Sequence, residues 1–157
     1  MKRGQDRLSG TEKRFLARFF VIFFSLFAAI HFVDLSFLSR AVAQVEFHLL
    51  SLAGVHAVLQ GELLVAGSTP FLFVVDCTGL VMVVLFAALL YSNELESRRR
   101  VRALLLYSPL LLAFNLVRLF ATLIVGAFAP PLFWAVHALL WFVDSGVVLL
   151  AWHKAAA

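Results

Sequence analysis

A single cysteine in 157 residues rules out an internal disulfide and carries no information on redox compartment. Charge is scarce as well. Asp, Glu, Lys and Arg make up 14% of the chain, against about a quarter in soluble domains. No Cys/His cluster has metal-ligand spacing and no glycine-rich loop could cradle a phosphate, so neither a metal nor an organic cofactor is expected. Apolar residues take their place: 63% of the chain is hydrophobic and its mean hydropathy is +0.99. Runs of roughly 20 apolar residues, enough to cross a bilayer as helix, recur several times. The composition predicts an all-α integral membrane protein of one domain, with membrane lipid as its surroundings. A pI near 9.8 would also suit a nucleic-acid partner, but the basic residues stand where a membrane-topology signal puts them, and no nucleic acid is expected.

Taken in order, residues 1–14 form a polar tail with Lys2, Arg3, Arg7, Lys13 and Arg14. Residues 15–33 are a phenylalanine-rich run that predicts a first span, with Arg18 close enough to its start to reach the headgroups. Ala41-Val42-Ala43 resembles a signal-peptidase site, but the apolar run is long for a signal peptide and Arg40 precedes the site, favouring an uncleaved span. Residues 34–76 are mixed. The spacing from Leu35 to Leu59 suits an interfacial or re-entrant amphipathic helix, on which His48 and His56 would be interfacial. Gly61 to Pro70 reads as a short hairpin-like outer segment. Further spans are expected at 77–92, 103–128 and 132–152, with a charged loop at 93–102 and a tight Ala129-Pro130-Pro131 turn. The result is a bundle of about four transmembrane helices. Arginines and lysines crowd the N-tail and the 93–102 loop, which places both termini in the cytoplasm and the 34–76 segment outside the cell membrane.

That topology puts three chemically useful side chains at one depth. Cys77 opens the second span at the outer face. Arg118 lies roughly 12 Å below the outer end of the third span, and His137 roughly 8 Å into the fourth. A thiol needs a base and an anion-stabilising group to act as a nucleophile, and these three residues could form such a site. Arg118 carries most of the argument, because an arginine so deep in a span costs from about 2.5 kcal/mol upward and demands a partner or a use. Tyr107, Leu111, Asn115, Arg118 and Thr122 share one helical stripe; so do His137, Trp141, Asp144 and Ser145. Asp144 is positioned to neutralise Arg118 or to support His137. The competing reading is a small non-catalytic membrane scaffold or transport component, in which Arg118 and Asp144 form an intramembrane pair and Cys77 is merely a small apolar residue.

Cys77-Thr78-Gly79, Asn115-Leu116-Val117-Arg118-Leu119 and His137 together resemble the exosortase/archaeosortase family, in the order Cys, Arg, His. The family's motif is commonly Cys-Ser-Gly, so Thr78 is a mild variant; the chain is similar to a compact member, over roughly residues 45–150. The resemblance implies a membrane-embedded cysteine transpeptidase or protease at the outer face, with no cofactor. It implies exported protein substrates whose C-terminal tail carries a short motif, a transmembrane helix and a basic cluster. Cys77 would be the nucleophile, His137 the base and Arg118 the stabiliser of substrate or oxyanion, with Thr78, Gly79, Asn115 and Asp144 in support.

Overall fold

A computed structural model describes residues 9–156; Lys2, Arg3 and Arg7 of the expected tail lie outside the described residues. Helix α1 (Gly10–Phe32) begins earlier than hydropathy suggests because Ser9 and Glu12 close a capping box. The Ser9 hydroxyl accepts from the Glu12 amide at 3.3 Å, and the Ser9 amide donates to Glu12 Oε2 at 2.7 Å, pairing two donors that a helix start leaves free. Helix α2 (Ser36–Leu52) follows after a short break. It stops well before Leu59, because Gly54 takes a left-handed φ of 75° and the chain then turns extended.

Three short strands replace the single hairpin the sequence suggests: β1 (Ala57–Gln60), β2 (Leu63–Ala66) and β3 (Thr69–Leu72). They form an antiparallel sheet in the order β1-β2-β3, with Gln60 opposite Leu63 and Ala66 opposite Thr69 across two-residue turns. Residues 57–60 continue the apolar pattern of α2, and four such residues do not separate strand from helix by periodicity. A 3-10 turn (Val75–Thr78) leads into α3 (Leu80–Ser92). Helix α4 (Ser97–Phe128) takes in most of the expected charged loop, since arginine is a good helix former and nothing from Ser97 to Arg102 breaks a helix. A second 3-10 turn (Pro130–Leu132) joins it to α5 (Phe133–Ala156).

The helices α1, α4 and α5 are long and apolar enough to cross a membrane, and α3 is a shorter apolar helix. At 1.5 Å per residue the 13 residues of α3 span roughly 20 Å. Large apolar side chains cover the outside of the bundle, among them Phe142 and Trp134 at 77% and 74% exposure, as lipid contact requires. The interior divides in two. Phe86, Leu90, Leu111 and Val148 pack one cluster among α3, α4 and α5. Ala43, Leu50, Leu64, Phe71, Phe73, Leu119 and Leu123 pack another, joining α2 and the sheet to the far end of α4. Along α4, Asn115, Arg118 and Thr122 lie at the junction of these clusters, and all three are buried.

Candidate active site

Cys77 sits in the 3-10 turn between β3 and α3, half-buried against the sheet-side cluster. Two features hold the turn. The Thr78 hydroxyl donates to the Val75 carbonyl at 2.6 Å and accepts from the Leu80 amide at 3.3 Å, tying the turn to the helix start. Gly79 then enters α3 with φ 81°, and a Cβ there would stand 3.0 Å from the Cβ of Asn115. Only glycine meets both demands without strain. That close approach lets Asn115 Nδ2 donate to the Cys77 carbonyl at 2.8 Å.

Asn115 is buried and faces two ways. Its Oδ1 accepts from Arg118 Nη2 at 3.2 Å, so one amide side chain links the cysteine turn to the guanidinium. Arg118 Nη1 lies 3.3 Å from Asp144 Oδ2 on α5, with the arginine side chain only 3% exposed. The Thr122 hydroxyl donates to the Arg118 carbonyl at 2.9 Å. Arg118 Nε and Nη1 are buried with no aligned hydrogen-bond acceptor, so the guanidinium keeps donors in reserve. The pair with Asp144 makes the deep cation tolerable, since a lone charge in such surroundings would be far more costly.

His137 lies one turn into α5, half-buried, its ring stacked on Phe133 with 5.6 Å between centroids and edge-on to Trp134. Its Nδ1 is buried without a partner. Cys77 and His137 both line a cavity of about 520 Å³, walled by β3, Phe73, Thr122, Leu123 and Trp134. A smaller cavity of about 210 Å³ is lined by Asp76 and Gly79, which flank the cysteine in sequence, together with Asn115, Arg118 and Asp144. The three residues singled out from sequence are therefore brought together in two steps. Thiol and imidazole share one cavity, while the guanidinium stands behind the cysteine turn and reaches it through Asn115. Of the α5 stripe, Asp144 faces inward, but Trp141 and Ser145 are exposed, the serine hydroxyl donating to the Trp141 carbonyl. His48 on α2 and His56, which falls in the connection between α2 and β1 and not on the helix, are both exposed.

Two further side chains, on α1 and α2, adjoin the cysteine turn. His31 Nε2 meets Asp76 Oδ1 at 3.1 Å, which ties the end of α1 to the residue just before the cysteine. Glu46, on α2, is completely enclosed. The first has no local sequence signal, because its partners are 45 residues apart. The second had one: Ser39, Ala43, Glu46 and Leu50 follow helical spacing and form the buried face of α2. Among the described residues no group of His, Cys, Asp and Glu could hold a metal ion.

Residues 8–153 match the family model described as transmembrane exosortase, which is nearly the whole chain. No curated protein and no solved structure matches it.

Proposed function

The chain belongs to the transmembrane exosortase family, and from that premise we propose that it is a cysteine transpeptidase or peptidase acting through Cys77, His137 and Arg118. The family's general character, a membrane-embedded sorting transpeptidase acting on exported proteins, comes with membership. The residue roles are our reading. The observation that carries them is the shared cavity of Cys77 and His137, backed by a hydrogen-bonded path from the cysteine carbonyl through Asn115 to Arg118.

The thiolate is the nucleophile, and an unassisted cysteine is only a few per cent thiolate at neutral pH. His137 takes the thiol proton, and Cys77 Sγ attacks the scissile carbonyl carbon. The C=O electron pair moves onto oxygen and forms a tetrahedral oxyanion. Collapse of that intermediate breaks the C–N bond, and the imidazolium returns its proton to the leaving amine. An amine or water then resolves the acyl-enzyme, giving transfer or release. Arg118 Nε is buried with no acceptor, which supports a role in stabilising developing negative charge, an effect that low dielectric strengthens. The arginine distribution supports an active site at the outer face of the cell membrane, with both termini cytoplasmic.

The Arg118–Asp144 pair at 3.3 Å also supports a second reading, a non-catalytic scaffold or transport component held together by that pair. One experiment separates them. A membrane-impermeant thiol alkylator added from outside labels Cys77, the only cysteine, and stops processing of a tail-bearing substrate in an enzyme. In a scaffold, labelling leaves function unchanged and Cys77→Ser is silent.

A further inference from the structure

Glu46 has no exposed surface, and neither of its carboxyl oxygens has a hydrogen-bond partner. It stands between Ala43 and Leu50 on the buried face of α2, which packs against the 3-10 turn of Cys77 and against α4. Ala43, Leu50, Leu119 and the half-buried Cys77 belong to one apolar cluster, so the carboxyl is sunk into the wall of the site. None of the ion pairs among the described residues includes it. A carboxylate stripped of both water and donors is costly enough that a buried acid keeps its proton instead. Burial pushes Glu46 up to about 8, against the opposing pull of Arg118.

The surrounding charges give that proton a purpose. On the elements packed against α2, the titratable neighbours are Asp76 and Cys77 in the turn and Arg118 on α4; β1 and β2 contribute none. Asp144 and His137 face the site from α5. Arg40 and His48, on α2 itself, are exposed, and Arg40 pairs with Glu62 at 3.2 Å. Arg118 is already balanced by Asp144. Asp76 and Asp144 already bring two acidic side chains to this layer against the one guanidinium, and an ionised Glu46 would add further negative charge where a thiolate and then an oxyanion have to form.

We propose that Glu46 is a positioning residue of the site, a neutral carboxylic acid that packs the Cys77 turn against α4 and whose ionisation suppresses the chemistry. The suppression rests on the cysteine mechanism above; the buried neutral acid does not. Infrared spectra of the full chain in lipid nanodiscs, wild type against Glu46→Gln, test the acid directly. Processing of a tail-bearing substrate across the same pH range tests the coupling. The wild type is expected to show a carboxylic-acid carbonyl band at neutral pH that Glu46→Gln removes and that fades as pH passes about 8. The ratio of wild-type to Glu46→Gln processing is expected to be within about threefold at neutral pH and to fall by up to about tenfold per unit above the transition, because only the wild type gains the charge there. Should Glu46→Gln fail to insert, Glu46→Asp carries the test, since both its band and its alkaline fall must shift together. A missing band at neutral pH overturns the proposal even if processing proves cysteine-dependent. A band with a pH-independent ratio overturns the coupling. Processing that does not need Cys77 defeats the mechanism instead and leaves the infrared result standing.

Discussion

Replacing Gly79 by alanine tests the packing that joins the cysteine turn to Arg118. With φ at 81°, an alanine takes on left-handed strain of about 1–2 kcal/mol. Its Cβ would also stand 3.0 Å from Asn115 Cβ, 3.1 Å from Cγ and 3.2 Å from Nδ2. Asn115 is buried and cannot yield without breaking its hydrogen bond to the Cys77 carbonyl, which leaves a part-buried acceptor unpaired at about 1–3 kcal/mol. The sum is about 2–5 kcal/mol. Gly61→Ala supplies the control, because its φ is also positive at 63° but its Cβ meets nothing within 4 Å. That variant carries the strain of about 1–2 kcal/mol alone. Denaturation in detergent reads the stability difference. Processing of a tail-bearing substrate reads the site, where a shift of Asn115 and Arg118 should cost tenfold or more, on the order of what small misplacements cost elsewhere. Equal stability and equal processing in the two alanine variants would refute the contact argument.

Three further outcomes follow from named contacts. Arg118→Lys should cut processing about a hundredfold while the chain still inserts, because a compact ammonium does not reproduce the planar fork that holds Asn115 and Asp144 and still presents N–H groups to an oxyanion; near-normal rates would make the role purely electrostatic. Asp144→Ala should lower stability by about 3 kcal/mol by stranding the Arg118 charge, and pairing Asp144→Leu with Arg118→Met should recover most of it; thermal unfolding of the single and double variants in detergent checks this. The Ser36 amide donates to Asp34 at 3.0 Å and holds that exposed carboxyl below its ordinary value of 3.8. Its contribution to the start of α2 is therefore present above that value and lost as pH falls through the lowered one. Amide protection of the first turn of α2, measured against the intrinsic exchange rate at each pH, should fall in acid in the wild type, and Asp34→Asn should remove the dependence.

The parts of the site that were legible in the sequence are those where chemistry conflicts with its background. Arg118 stands out because a guanidinium in an apolar run must be paired, and Asp144 was the acidic residue within reach on the neighbouring span. The helical spacing of Asn115 and Arg118 put them on one stripe, and the structure has them hydrogen-bonded. The parts that were hidden depend on tertiary neighbours. Glu46 shares a helical stripe with Ala43 and Leu50, but that this stripe is fully enclosed shows only once the sheet and the cysteine turn cover it. His31 and Asp76 meet only because α1 packs along α3. Strand β1 escaped notice because Ala57-Val58-Leu59-Gln60 has neither the length nor the alternation that separates strand from helix. The charge of residues 93–102 suggests a loop, yet α4 begins within it at Ser97. An arginine-rich turn can be helical while its charges stay at the headgroups.

In the proposed mechanism the Cys77 thiol carries out the cleavage. The direct measurement follows one cognate tail-bearing substrate by immunoblot in cells expressing either the wild type or Cys77→Ala, with membrane insertion of both confirmed. A size shift present with the wild type and lost with Cys77→Ala is the predicted result. Processing that persists with Cys77→Ala would contradict the account and leave the Arg118–Asp144 pair as the core of a non-catalytic membrane protein.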